Sequence, residues 1–113
     1  MGQLEKYRTH IKRILNEYAK YKPSHGEIET EAIFDVEKDH YEVVHVGWHN
    51  KKRIHGSVIH IDIKDGKVWI QHDGTSDGIA DELVEAGIPK EDIVLGFRYP
   101  KFRKYTEYAA IEG

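Results

Sequence analysis

The sequence predicts an α+β fold with an N-terminal helix, a four-stranded antiparallel meander sheet and short C-terminal helices. Apolar residues recur at helical spacing over residues 3–21, alternate with polar residues from Ile28 onwards, and return to helical spacing after Asp73. Within the alternating part, Asp65 and Gly66 separate two runs, and this dipeptide is typical of a two-residue type I′ hairpin. These observations together predict the fold class.

The first helix is predicted from one apolar stripe on an otherwise polar segment. The stripe consists of Leu4, Tyr7, Ile11, Ile14, Leu15 and Tyr18. Pro23 and Gly26 then end the helical pattern. We expect the stripe to pack on the sheet, since this arrangement is much commoner than an amphipathic helix lying on a membrane.

Four strands are predicted next, joined by short links. They cover residues 27–37, 41–48, 53–64 and 67–72. Two-residue turns are expected at residues 38–39, 50–51 and 65–66, and links of this length join only antiparallel neighbours.

The last third of the chain is predicted to be mostly helical. Residues 79–86 form a short helix that ends at Gly87, and Pro89 suits the first position of another turn or helix. Residues 93–95 are too short to assign. Residues 102–111 are compatible with either a strand or a terminal helix.

Extending the hairpin registers assigns the side chains to two faces. The core face is predicted to carry Ile33, Val44, Val46, Trp48, Ile59, Ile61, Ile63, Val68, Ile70 and His72. The opposite face is predicted to carry Phe34, Val36, Tyr41, Val43, Ile54, Val58, His60 and Trp69, together with Asp62 and Gln71. This second face is too apolar to lie in water, so either the C-terminal helices cover it or it is a partner or dimer surface.

The amino-acid composition indicates a globular domain and excludes functions that need cysteine. The chain has 113 residues, of which 39% are apolar and 33% charged, and we expect one globular domain over residues 1–113. It contains no cysteine, which excludes disulfides, a cysteine nucleophile and thiolate metal ligation. Because the sequence has neither a secretory signal nor an apolar run of membrane-spanning length, we expect a cytoplasmic protein without membrane contact.

Charge is distributed unevenly along the chain. Residues 1–25 carry six basic and two acidic side chains, residues 26–96 carry seven and sixteen, and residues 97–113 carry four and two. The basic ends are expected to complement the acidic middle, within the fold or in a homodimer. The alternative is direct nucleic-acid contact by the ends, through Lys12, Arg13, Arg103 and Lys104.

No pattern of catalytic or ligand-binding residues stands out. The eight histidines are dispersed, and their only grouping on a predicted face is His60 with Asp62, with Gln71 opposite His60. The loop at residues 73–78 matches no phosphate-binding pattern, and no serine lies in a nucleophile motif. We therefore expect no catalytic residues, no cofactor and no metal, and a protein that is not an enzyme.

Several segments carry a family resemblance. They lie at residues 4–7, 26–30, 33–35, 39–41, 46–48, 60–75, 78–80, 82–84, 87–97 and 105–109. The most specific part is the run Asp-Gly-Lys-Val-Trp-Ile-Gln-His-Asp-Gly-Thr at residues 65–75. On these residues the chain resembles the XisI family over nearly its whole length.

The resemblance implies a function that composition does not. XisI proteins are fdxN element excision controlling factors of filamentous cyanobacteria, needed for excision of a DNA element during heterocyst differentiation. A separate site-specific recombinase performs the strand chemistry, and XisH is the usual companion. The resemblance therefore implies an accessory factor that acts through protein–protein contacts. Its expected partners are an XisH-like protein, the recombinase and a second copy of the chain. The alternative is a small DNA-binding excision factor that uses the basic ends.

Overall fold

The computed structural model describes residues 2–21 and 26–111, so Pro23, the expected helix stop, lies outside the described residues. The helices and strands are, in chain order, α1 (Gln3–Ala19), β1 (Glu27–Asp35), β2 (His40–His49), β3 (Lys52–Lys64), β4 (Lys67–Asp73), α2 (Ile79–Glu85) and β5 (Ile93–Leu95). Two short 3₁₀ helices, Lys90–Asp92 and Pro100–Tyr105, flank β5. The predicted α+β class is confirmed. No helix within residues 2–21 and 26–111 is long and apolar enough to cross a membrane.

The N-terminal helix α1 covers one face of the sheet, as its apolar stripe predicts. Tyr7, Ile11, Ile14 and Leu15 are buried, and Leu4 and Tyr18 pack at the margin of the same core. Burying an aliphatic or aromatic side chain contributes about 1.5–3 kcal/mol, so this stripe is enough to hold the helix against the strands.

The sheet has five strands in the order β1-β2-β3-β4-β5, one more than predicted. The first four form the expected antiparallel meander, whereas β5 pairs with β4 in parallel. All three residues of β5 are buried. A parallel neighbour requires a crossover connection, which α2 and the first 3₁₀ helix supply here, and this non-local pairing explains why a three-residue run gave no strand signal.

Two of the three predicted hairpin turns are confirmed. Asp65 and Gly66 have φ values of 53° and 77°, and Asn50 and Lys51 have φ values of 48° and 67°, as type I′ turns require. The β1–β2 connection is longer than predicted, because Asp35 pairs with His40 and residues 36–39 form the turn.

Two β-bulges alter the predicted faces. In the β2–β3 pairing, Val43 faces Ile59 and Val44 faces Ser57, so Val58 is left as the extra residue. Side chains alternate along a strand, so one extra residue in β3 changes which β2 side chains share a face with Ile59, Ile61 and Ile63. Compared with the predicted ladder, all of β2, and β1 with it, therefore presents its opposite set of side chains to the core.

The predicted second face is therefore wrong for most of its apolar members. Phe34, Tyr41, Val43 and Val58 belong to the core beneath α1, and Tyr41 and Val43 are almost fully buried. In their place, the side chains of Ile33, Val44, Val46 and Trp48 lie on the face that α1 does not cover, which we call the outer face. A second bulge leaves Gln71 as the extra residue of β4. Ile59 therefore pairs with Asp73 and not with His72, and His72, a predicted core residue, is exposed.

The C-terminal segment, residues 103–111, covers the β4–β5 half of the outer face. Trp69 does lie on this face, as predicted, but it is buried against Val94 and Ala109. The backbone N–H of Ala109 donates to the carbonyl of Ile93, which ties the segment to β5. The outer face of β1, β2 and the first half of β3 stays uncovered, with Ile33 48% and Trp48 52% exposed.

Candidate functional site

A cluster of polar side chains lies at the centre of the outer face. It consists of His40 and Glu42 on β2, His60 and Asp62 on β3, and Gln71 on β4. His40 lies directly across from Asp62, and Glu42 lies directly across from His60. Because opposite residues of an antiparallel pair share a face, the sheet backbone brings these four side chains together.

The cluster is joined by short hydrogen bonds. Asp62 Oδ1 lies 2.9 Å from His40 Nδ1 and 3.0 Å from His60 Nε2. The other nitrogen of the His40 ring lies 3.0 Å from Glu42 Oε2. Gln71 Nε2 donates to Asp62 Oδ2 at 3.3 Å, and the two imidazole rings stand 4.4 Å apart between centroids. Every side chain in the cluster thus contacts at least one other member.

The electrostatics favour a charged imidazole between the carboxylates. The hydrogen bond to Glu42 raises the pKa of His40, burial opposes this shift, and the charge of Asp62 adds to it. Burial alone would raise the pKa of Glu42, but hydrogen bonds with His40 and Ser57 hold it below its usual value. The arrangement can therefore hold a proton, or another cation, between two carboxylates.

Sequence reasoning found part of this cluster. It placed His60 and Asp62 on one face with Gln71 nearby, and the structure brings these three together. It missed His40 and Glu42, because without the bulge at Val58 the alternation along β2 puts them on the same predicted core face as Val44 and Val46. The available signal was a repeated pattern: a histidine stands two residues before an acidic residue in both β2 and β3.

Beyond the cluster, the outer face forms three columns of side chains. The middle one, on β2, is apolar and contains Val44, Val46 and Trp48. Glu27, Glu29 and Glu31 lie opposite these residues on β1 and form an acidic column. On β3, Arg53 and His55 form a basic column, and the Arg53 guanidinium lies 5.2 Å from the Trp48 ring centroid. An apolar strip between opposite charges is typical of a protein-binding surface.

The other predicted surface residues are dispersed. Val36 is exposed in the β1–β2 turn, Ile54 is partly exposed near the β2–β3 turn, and the side chain of His60 is 28% exposed within the cluster. With Tyr41, Val43 and Trp69 buried, the predicted set does not form one patch.

The basic residues predicted to contact nucleic acid are also not brought together. Lys12 and Arg13 lie on α1, on one side of the sheet, whereas Lys104 lies in the second 3₁₀ helix on the other. For Arg103 the prediction is wrong, because this side chain is 4% exposed. Its guanidinium donates to the carbonyl oxygens of Leu95, Gly96 and Ile111. Arg103 therefore anchors the C-terminal segment.

The loop at residues 73–78 has a structural role. Asp73 Oδ1 accepts hydrogen bonds from the backbone N–H and the hydroxyl of Thr75, and Asp73 Oδ2 accepts one from the N–H of Ile79. Thr75 Oγ1 in turn accepts from the N–H of Gly78. These bonds order the start of α2 with the chain's own groups.

Fold and site together define a small α+β protein with a five-stranded sheet, a helix on one face and an open, mixed apolar and charged area on the other. The XisI protein family model matches residues 1–110. The chain belongs to the XisI family.

Two solved structures from Anabaena variabilis ATCC 29413 are similar over nearly the whole chain. An XisI-like protein is 45% identical, with a TM-score of 0.89 over 95% of this chain and 98% of its own. The fdxN element excision controlling factor XisI is 36% identical, with a TM-score of 0.80 over 96% of this chain and 99% of its own. A search of curated proteins found no match.

Proposed function

We propose that this chain is a non-enzymatic accessory factor that controls the site-specific excision of a DNA element by a recombinase, through protein–protein contacts. Membership of the XisI family and the similarity to an fdxN element excision controlling factor support a regulatory role. The partners are a second copy of the chain, an XisH-like protein and the recombinase itself.

The observation that carries this proposal is the uncovered half of the outer face. Its apolar strip holds Val44, Val46 and the 52% exposed Trp48. Large aromatic side chains are enriched in protein interfaces, and an exposed apolar strip bordered by charges is characteristic of a binding site. Direct DNA contact is disfavoured, because the acidic column borders this strip and the basic ends of the chain lie on opposite sides of the sheet.

A second copy of the chain fits this face by charge. A two-fold axis parallel to β2 places β2 against β2, and it places the acidic column of each copy over the basic column of the other. Glu27 of one copy then faces Arg53 of its mate, because both residues are level with Trp48 in the sheet register. Sheets pack face to face in this way with their strands nearly aligned.

The surface left free in such a dimer suits a different protein. Four aromatic side chains in and before the second 3₁₀ helix are exposed: Phe97, Tyr99, Phe102 and Tyr105. Phe102 packs against Tyr99 with ring centroids 5.6 Å apart. Exposed arginine and lysine side chains lie among them, so an acidic surface on the XisH-like protein or the recombinase is the complementary partner.

Light scattering on the full chain tests the dimer. Trp48→Glu should give a monomer, while Trp48→Phe should not. Arg53→Glu and Glu27→Arg should each weaken association, and the double variant should restore it because the pair is re-formed with reversed charges. This interface would be refuted by a chain that is monomeric at all concentrations. It would also be refuted if the double variant associates no more strongly than either single variant.

Co-purification with the XisH-like protein tests the second surface. Phe102→Glu should reduce capture while leaving the dimer intact, and Trp48→Glu should do the reverse. A duplex DNA affinity that falls steeply with salt and is lost on charge reversal at Lys12, Arg13 and Lys104 would instead favour direct DNA binding.

A further inference from the structure

We infer that His40, His60 and Asp62 form a binding site for a divalent first-row transition-metal ion, with zinc as the reference ion. Each residue offers one ligand atom, and these atoms all lie within 4.8 Å of one another. Two imidazoles and one carboxylate form a donor set suited to zinc, iron or manganese. The inference is independent of the proposed function.

The spacing of the donor atoms suits such an ion. Asp62 Oδ1 is 2.9 Å from His40 Nδ1 and 3.0 Å from His60 Nε2. With metal–ligand bonds of about 2.1 Å, two ligands at right angles lie about 3.0 Å apart, and two ligands in a tetrahedron about 3.4 Å apart. His40 Nδ1 and His60 Nε2 lie within 4.8 Å of each other, and side-chain rotation that brings them to the same spacing would complete the three-ligand set.

Two further side chains, Glu42 and Gln71, hydrogen-bond to the ligating residues and orient them. When His40 Nδ1 binds the ion, its other ring nitrogen, Nε2, remains 3.0 Å from Glu42 Oε2 and donates to it. Gln71 donates to Asp62 Oδ2, which leaves Oδ1 turned toward the two imidazoles. A carboxylate behind a ligating histidine and a donor behind a ligating carboxylate are the usual supports of protein metal sites. These supports distinguish the cluster from a chance meeting of polar side chains.

The ion has access from solvent and room for further ligands. The side chains of His40, His60 and Asp62 are 36%, 28% and 25% exposed. A surface depression beside His40 and Asp62 is bordered by Asp35, Lys38 and Lys64. The three protein ligands therefore hold one side of the ion, and water or a ligand from a partner completes its coordination.

The three ligands lie beyond the apolar strip of the proposed dimer contact. Val44, the nearest residue of that strip, is four residues from His40 on β2, which corresponds to roughly 13 Å at about 3.3 Å per residue. Because no ligand belongs to the strip, His60→Ala tests the metal site and Trp48→Glu tests the dimer, and either proposal can fail without the other.

Calorimetric titration of the metal-free full chain with Zn²⁺ is the first test. We expect one ion per chain, with a rise in melting temperature upon saturation. His60→Ala and Asp62→Asn should each weaken Zn²⁺ binding at least 100-fold. Glu42→Gln, which removes a support and keeps all three ligands, should weaken it about 10- to 100-fold. Because Glu42→Gln keeps the ligand set, it keeps the test decisive if a ligand variant fails to fold.

His55→Ala and His10→Ala are the controls, because His55 lies five residues from His60 along β3 and His10 lies on α1, away from the cluster. Both should keep the affinity of the unmodified chain. Co²⁺ substitution should give a visible absorption band that is lost in His60→Ala. The inference is overturned if Zn²⁺ does not bind, or if the control variants lose as much affinity as the ligand variants.

Discussion

Arg103 lies over the ring of Trp69, with its guanidinium carbon 5.3 Å from the ring centroid. Both residues were expected at interaction surfaces, and the structure buries both. Lys64 approaches the same ring, with Nζ 4.1 Å from its centroid. The contact joins the C-terminal segment to β4, so Arg103 and Trp69 stabilise the folded chain.

Removing the Arg103 side chain should therefore destabilise the protein. Arg103→Ala leaves the carbonyls of Leu95, Gly96 and Ile111 without their guanidinium donor. We expect a loss of about 2–4 kcal/mol in the free energy of unfolding, measured by urea denaturation. Lys104→Ala, next in the chain but exposed, should change it by less than about 0.5 kcal/mol. Equal effects of the two substitutions would contradict this role of Arg103.

Gly47 and Gly56 give a matched pair of substitutions in the sheet. A Cβ on Gly47 would lie 2.0 Å from the carbonyl oxygen of Glu27 in the neighbouring strand, whereas a Cβ on Gly56 would meet nothing within 4 Å. Gly47→Ala must push β1 away from β2, and overpacking of this kind costs about 1–3 kcal/mol. Gly56→Ala should be close to neutral. Thermal unfolding compares the melting temperatures of the two variants. If Gly47→Ala melts no lower than Gly56→Ala, the close approach of Glu27 to Gly47 does not constrain β1.

The residue types at the turns were enough to predict the hairpins, whereas packing between distant segments decides which face of the sheet each side chain occupies. The turns at Asn50 and Asp65 follow from residues that tolerate positive φ. The bulge at Val58 has only a weak local signal, the glycine inside the strand at Gly56, and its exact position depends on which β2 side chains must reach the core beneath α1. One unrecognised residue therefore reversed the assignment of two strands and separated His40 from His60 in the prediction. The short strand β5 was missed for a related reason, because it forms through contacts with distant parts of the chain, chiefly its parallel pairing with β4.

Deleting Val58 tests the bulge assignment. Because Val58 is the extra residue, the deletion leaves Val43 opposite Ile59 and Val44 opposite Ser57, so Tyr41 and Val43 keep facing α1. We expect cooperative unfolding in circular dichroism, with a loss of about 2–4 kcal/mol from the missing half-buried side chain and the altered strand twist. Val58→Ala keeps the bulge and removes only part of this side chain, so it should cost about 1–2 kcal/mol. If Val58 were a regularly paired residue, its deletion would reverse the faces of β2, so a deletion variant without cooperative unfolding would contradict the bulge assignment.

Tyr7 should make the protein unstable at high pH. Its hydroxyl donates to Asp92. Burial first, and the bond to Asp92 second, raise the pKa of Tyr7 to about 12 from a usual value of 10.0. Because the folded protein holds this proton more tightly than the unfolded chain, the stabilisation is complete below about pH 10 and is lost as the pH rises toward about 12.

The free energy of unfolding should therefore fall between pH 10 and 12, and Tyr7→Phe should make this fall shallower. At neutral pH, Tyr7→Phe should cost about 1 kcal/mol, the usual value of one hydrogen bond. Asp92→Asn keeps the phenol and removes the carboxylate, so phenolate absorbance should then develop at a lower pH. If neither variant changes the alkaline unfolding curve, the contact between α1 and the first 3₁₀ helix does not control stability at high pH.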